Sequence, residues 1–284
     1  MMTFTEKRSK EFFSKSFNRI ESENFDDCYL EAVGTTGKDS RVELCSFRSA
    51  ILVRCYFRGV TFINCNFTAT KFVDCNFKGA KFIGCSFSYA NFRRTVIESS
   101  EVIANLPREP SVQRDLLRIL RVDARELGNP ENESLYIRKE IAASETFHIS
   151  AFLGREEWYR KKYGRLERFG FLGKWLGSKA LGAIWGNGER PARIVGFCFF
   201  LVFIFTIILL LSNGNTNELF TSGDAITLIL QSLKLSMAEF LGIPYKPETY
   251  TLSVPFWFSA MTALLRYLLI GVLVSVLFRA FSRR

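Results

Sequence analysis

Residues 45–92 read CSFRSAILVRCYFRGVTFINCNFTATKFVDCNFKGAKFIGCSFSYANF, with a cysteine at every tenth position from Cys45 to Cys85. That spacing admits a disulfide frame, a metal site, or a consequence of how the chain coils. The phenylalanines point to the coil. Phe47, Leu52, Phe57, Phe62 and Phe67 recur every five residues, and Phe72, Phe77, Phe82, Phe87 and Phe92 continue without a slip. Two positions before each stands a small or modest residue: Cys45, Ala50, Cys55, Val60, Cys65, then Thr70, Cys75, Ala80, Cys85 and Ala90. A period of five fits neither a helix nor a flat strand. It fits a solenoid with five residues per side and twenty per turn, whose turns stack at about the 4.8 Å strand spacing around one large and one small inward residue per side.

From Arg41 to Val102 the pattern resembles the pentapeptide-repeat family, whose consensus puts a small residue two positions before a central Leu or Phe. The resemblance implies a right-handed quadrilateral β-helix. Val42, Ile97 and Val102 extend the frame, while Phe25, Cys28 and Leu30 read as an out-of-phase opening turn with Glu31 to Ser40 as an excursion. Cys45, Cys65 and Cys85 then stack on one face and Cys55 with Cys75 on another, each filling a small inward site as free cysteine does in cores. One thiol per turn cannot converge four ligands on zinc, so no metal and no cofactor is expected. Nine basic residues against Glu43 and Asp74 between Arg41 and Arg94 argue against the DNA mimicry of some family members. No nucleic-acid partner is expected either.

The 284-residue chain has a formal net charge of +10. Ile194 to Leu211 is an uncharged run long enough to cross a bilayer core of roughly 30 Å. A second apolar run, Leu252 to Phe278, is interrupted only by Arg266. Ten Lys or Arg against four Glu lie between Arg155 and Arg193, whereas the connector Ser212 to Thr251 has Lys234 and Lys246 against four acids. The positive-inside rule puts both termini in the cytoplasm. Six of the seven cysteines precede the first span, in a reducing compartment where disulfides are rare.

Pro107 and Pro110 stop the repeat. From Ser111 the chain reads as a helical hairpin, with Val112, Leu116, Ile119 and Leu120 on one stripe, Gly128 as C-cap and Asn129-Pro130 as the turn. It is expected to cap the solenoid. His148, the single histidine, has no ligand set around it. Basic residues then interleave with Trp158, Tyr159, Tyr163, Phe169, Trp175 and Trp185, a composition suited to an anionic membrane surface.

WGNGERPARIV, residues 185–195, resembles the boundary before the first membrane helix in bacterial proteins that join pentapeptide repeats to a two-helix, potassium-channel-like pore module. That resemblance implies a plasma-membrane protein of four copies. The connector DAITLILQSLKLSMAEFLGIP, residues 224–244, reads as a re-entrant pore helix, since Ile226, Leu230, Leu233, Met237 and Leu241 have helical spacing. The expected pore loop comprises Lys234, Ser236, Met237, Ala238, Glu239, Phe240, Leu241 and Gly242. It lacks the Gly-Tyr-Gly that supplies filter carbonyls, so strict potassium selectivity is not expected and the permeant ion is unknown.

Arg266 falls roughly 18 Å from the inner edge of the core, at ~1.5 Å per residue from Phe278. A charge there costs about 2.5–3.5 kcal/mol, and either pairs with Glu239, bracing the pore loop, or snorkels outward. Gly271 and Ser275, four apart, permit close helix approach or line an inner pore.

Thus the expected organisation is an N-terminal segment and opening coil (1–40), a β-helix (41–106), a helical neck and membrane-surface segment (107–190), and a pore module (191–284). No nucleotide loop, metal cluster or histidine-paired nucleophile points to an enzyme. Two readings stay open: a homo-oligomeric channel in contact with membrane lipid whose coil assembles or senses, and a non-conducting membrane-anchored scaffold whose coil binds a cytoplasmic protein.

Overall fold

The five-residue period becomes a four-sided parallel coil. The computed structural model describes residues 10–35, 40–186, 192–213, 225–246, 252 and 254–282, divided between two compact units, Met1–Trp175 and Leu176–Arg284. In chain order the strands are β1 (Glu11–Phe13), β2 (Ser16–Phe17), β3 (Arg19–Glu21), β4 (Tyr29–Glu31), β5 (Gly34–Thr35), β6 (Arg41–Glu43), β7 (Ile51–Val53), β8 (Thr61–Ile63), β9 (Lys71–Val73), β10 (Lys81–Ile83) and β11 (Asn91–Arg93).

One side of the coil is the sheet β1-β4-β7-β9-β11, another is β10-β8-β6-β3, and both are parallel. Isolated bridges form the other two sides, Ser46 to Asn66 to Ser86 and Tyr56 to Asn76 to Val96. Ile51 faces Lys71 and Lys71 faces Asn91, so a turn takes the twenty residues expected of a four-sided coil with five residues per side. Corners fall where φ turns positive, at Leu44, Arg54, Asn64, Asp74 and Arg94 with Gly84 in the same series. The chain changes direction there at a cost of roughly 1–2 kcal/mol for each non-glycine residue.

The inward set fills the axis. Phe57, Phe62, Phe67, Phe72, Phe77 and Phe87 are fully buried, as are Ala50, Val60 and Ala90. Rings one turn apart stack: Phe25 on Phe47 at 5.0 Å, Phe47 on Phe67 at 5.1 Å, and Phe67 on Phe87 at 5.4 Å. Each such pair adds about 0.5–1.5 kcal/mol beyond the area it buries.

Two expectations need correction. The excursion does not run from Glu31 to Ser40: Glu31 pairs with Val53, Gly34 bridges Tyr56, and the Ser40 carbonyl accepts from Thr61. Tyr29 faces Ile51, twenty-two residues on, so the insertion is two residues, and residues 36–39 lie outside the described ones. Val102, to which the five-residue frame extends, lies in helix α1 (Ser99–Ala104) instead of continuing the coil, although its side chain is still fully buried in the same core.

Helices α2 (Pro110–Glu126) and α3 (Pro130–Leu153) form the hairpin. Gly128 at φ +67 closes α2, with Gly128 N donating to Arg125 O and Asn129 N to Ala124 O; only glycine meets that conformation without strain. Asn129 Oδ1 caps α3 by accepting from Asn132 N at 3.0 Å. Helices α4 (Glu157–Lys162) and α5 (Arg165–Trp185) follow. The second unit contains α6 (Ala192–Asn213), α7 (Ala225–Leu241) and α8 (Phe256–Ser282). Within α6 and α8, Ala192–Ser212 and Phe256–Phe278 are long and apolar enough to cross a membrane.

Candidate functional site

The cysteine ladder turns out to be packing material. Cys45, Cys55, Cys65 and Cys75 are each at most 2% exposed and Cys85 is 7% exposed, all as free thiols. Each thiol from Cys55 onward reaches the carbonyl of the turn below: Cys55 donates to Leu30 O at 3.5 Å, Cys65 to Val42 O at 3.3 Å and Cys75 to Leu52 O at 3.4 Å. The neighbouring Cys65 thiol, and then burial, pushes Cys45 far above the ordinary thiol range. Cys55 and burial do the same to Cys75. Others in the ladder move the other way, Cys55 lowered by its contact with Cys75 and Cys85 by its contact with Cys65, and burial screens all five thiols from solvent. Among the described residues no three or more His, Cys, Asp or Glu gather as a metal site.

Where the coil ends, its open backbone is satisfied by side chains that the period does not announce. Glu101 Oε2 accepts from Phe82 N at 2.9 Å. Asn105 Oδ1 accepts from Cys85 N at 2.9 Å while its Nδ2 donates to Phe82 O at 2.8 Å. Asp123 on α2 receives Thr95 N at 3.4 Å. Asp123 is 4% exposed, and desolvation holds its carboxyl above the usual carboxylate range. Leu116, Leu117, Leu120 and Tyr136 join the phenylalanine core. Burial lifts Tyr136 to about 12. The hairpin therefore caps the solenoid, by hydrogen bonds as well as apolar area. His148 sits half-buried between Phe147 and Phe171, and burial, then Lys174 and Arg114, depresses its pKa.

The helices of the second unit are apolar on the outside as well as in their core. Their shared core contains Phe205, Leu209, Leu235, Phe240, Phe258 and Leu269. Gln231, Ser232, Ser236, Thr206 and Thr262 are buried as well. Thr206 and Thr262 donate to their own helices, at Val202 O and Ser259 O, both 2.9 Å, whereas the buried Ser232 and Ser236 hydroxyls have no hydrogen-bond partner among the described residues. The outside is apolar. Phe199, Phe203 and Leu211 on α6 are 60–67% exposed, and Leu264, Val274 and Phe278 on α8 are 59–74% exposed.

On α7 the expected pore-loop residues divide by face. Ser236, Ala238 and Phe240 point into the unit, Lys234, Met237 and Leu241 point out, and Glu239 is half-buried. Gly242 at φ +72 ends the helix, its N–H donating to Glu239 O at 3.2 Å while Ile243 N donates to Ala238 O at 2.9 Å. The Arg266 guanidinium lies against Gly242 so closely that a Cβ there would collide with it. It also rests 4.9 Å from the centre of the Tyr267 ring. Among the described residues no ion pair joins Arg266 to Glu239. The guanidinium instead meets the helix end, where unpaired carbonyls carry partial negative charge. Gly271 and Ser275 are exposed on α8, and nothing lies within 4 Å of where a Cβ on Gly271 would be.

The Asn187–Pro191 part of the boundary motif, Asp224, and connector residues 214–224, 247–251 and 253 lie outside the described residues.

Residues 36–104 match the pentapeptide repeat region family. No match was found among curated proteins. Among solved structures the chain is similar to QnrB1, a plasmid-mediated fluoroquinolone resistance protein, at 17% identity and a TM-score of 0.15. The match covers 31% of this chain and 55% of that one, so the chain spans about half the length of this relative. The family match covers residues 36–104, about a quarter of the chain, and within it strands β6 to β11, Arg41 to Arg93, form the coil.

Proposed function

We propose that the chain is a membrane-embedded homo-oligomer in which the apolar helices of several copies surround a pore and the coil is a cytoplasmic assembly or sensing module. The apolar outside of the second unit carries this reading: phenylalanine and leucine of α6 and α8 face outward while several hydroxyls and an amide are buried beside an apolar core. A soluble monomer rarely exposes a contiguous apolar patch larger than a few hundred Å². Lipid is the solvent in which such a surface is stable.

Two faces support self-association. On α7 the outward residues Ile226, Ile229, Leu230, Leu233, Met237 and Leu241 form one apolar stripe. On α8 the small residues Gly271 and Ser275 sit among exposed Leu264, Leu268, Val274 and Phe278, which lets another helix approach closely. Four copies is the number that the resemblance to two-helix pore modules implies.

A second reading, a non-conducting membrane-anchored scaffold, is favoured by Arg266. Its guanidinium occupies the end of α7, where a filter would begin in a potassium channel. The deciding experiment purifies the full chain in detergent, determines its mass, and reconstitutes it in liposomes loaded for potassium, sodium and chloride flux. The proposal expects an oligomer and flux of at least one ion. An oligomer with confirmed insertion and no flux supports the scaffold, and a monomer overturns both the pore and the self-association.

A further inference from the structure

Helix α5 carries an exposed apolar stripe that the proposed pore leaves unused. At ~100° per residue, Leu166, Phe169, Gly173, Leu176 and Ala180 fall on one arc of roughly 80°, and each of them is exposed. Leu166 is 87% exposed, Phe169 63% and Leu176 53%. A Cβ placed on Gly170, Gly173 or Gly177 would meet nothing within 4 Å. Among the described residues, nothing covers this face.

The opposite side of the helix rests on protein. Arg168, Phe171, Trp175, Ser178 and Gly182 are half-buried there. Arg168 donates to Phe152 O at 2.7 Å, and the Phe171 ring lies 5.8 Å from Phe147, 5.9 Å from His148 and 4.8 Å from Tyr163. These contacts fix which way the stripe faces. Exposed cations edge it on both sides, Arg165 and Lys179 on one and Lys174 on the other. Glu167, the single acid of the helix, accepts from Gly164 N at 3.0 Å. The far end of α5 is tied to the start of the first apolar span: Arg193 on α6 donates to Gly182 O at 2.7 Å, and Ile184 packs against the core that contains Phe205.

We propose that α5 lies along the membrane surface and binds a leaflet containing anionic phospholipid, with Leu166, Phe169 and Leu176 below the phosphates and Arg165, Lys174 and Lys179 among them. An apolar arc edged by cations is the form that surface-lying helices take, and anionic headgroups attract Lys and Arg close to the surface. Arg193 directly precedes the uncharged run from Ile194 to Leu211, so the bond to Gly182 holds the end of α5 at the level where that run enters the bilayer. The inference rests on the membrane reading and adds the lipid class and the helix that recognises it.

The test places a nitroxide at Phe169→Cys or Leu176→Cys in the full chain carrying Cys198→Ala, whose remaining native cysteines are buried, and reads its collisions with dissolved oxygen and with a water-soluble nickel chelate. Lys78→Cys on the coil and Phe203→Cys on α6 serve as the water and lipid references. In liposomes containing phosphatidylglycerol, both stripe labels should show an oxygen-to-nickel ratio severalfold above that of Lys78→Cys. In pure phosphatidylcholine the ratio should fall, and Arg165→Gln, Lys174→Gln and Lys179→Gln together should bring the first value down to the second. Equal ratios in the two lipids, or labels shielded from both reagents by another protein surface, would overturn the proposal. If Phe203→Cys meets lipid while both stripe labels stay as wet as Lys78→Cys, the surface helix fails and the membrane reading survives. If Phe203→Cys is itself wet, the membrane reading falls and the surface helix with it.

Discussion

The coil and the helices of the second unit use the same side chains in opposite senses. In the coil Phe67 is fully buried and Lys71 faces out; in the second unit Phe203 is 60% exposed and Ser236 is fully buried. Apolar burial at roughly 25 cal/mol per Å² organises the first. In the second unit a smaller apolar core, Phe205, Leu209, Leu235 and Phe258, is joined by buried Ser232, Ser236, Thr206 and Thr262, while other phenylalanines and leucines stay outside. The difference teaches that hydropathy alone does not say which face is inward. The period does for the coil, and the buried polar set does for the helices.

The largest effect that sharpens this contrast is at the ring ladder. Phe67 lies between Phe47 and Phe87 with no exposed surface. Phe67→Ala should cost about 3–5 kcal/mol in chemical unfolding of the full chain. Phe203→Ala, by contrast, should stay within about 0.5 kcal/mol in detergent. Equal losses would break the comparison.

The cap comes next. Asp123→Ala leaves Thr95 N–H without its partner and should cost about 1–3 kcal/mol. Asp123→Asn keeps an acceptor and should be far milder. Because burial raises the Asp123 pKa in the folded state, its contribution is greatest below the ordinary carboxylate value and is lost as pH rises through the raised one. Unfolding midpoints against pH should therefore fall more steeply above pH 4 for the unaltered chain than for Asp123→Asn; a steeper fall for the variant would contradict the assigned cause.

Glycines give the smallest effect. Gly242→Ala meets both a positive φ and the Arg266 guanidinium, and should cost about 1–2 kcal/mol in unfolding. Gly271→Leu meets nothing within the unit. It should leave unfolding of the single chain unchanged and lower the oligomer mass. An unchanged mass would remove that face from self-association.

The coil was legible in the sequence because one residue type recurs at one spacing, from which the five-residue side and the inward cysteines follow; four sides, and so twenty residues per turn, are what the resemblance implies. The start of the coil was not legible. Turn one carries Lys10, Lys15, Asn18 and Glu23 where the frame calls for small apolar groups, and the two-residue insertion after Thr35 shifts the phase. The caps were illegible for another reason: Glu101, Asn105 and Asp123 are ordinary polar residues of helices until the coil end is placed beside them. Arg266 was legible as a charge in an apolar helix, but its neighbour was not. Its meeting with Gly242 depends on the turn that ends α7, which no spacing along the chain encodes.

Labelling from within the bilayer tests the contrast most directly. In proteoliposomes holding the full chain, a photoactivatable reagent carried at the end of a lipid acyl chain should label Phe199, Phe203, Leu264 and Val274, and no residue between Arg41 and Val96. Labelling of the coil at the same yield, or none on α6 and α8, would contradict the account.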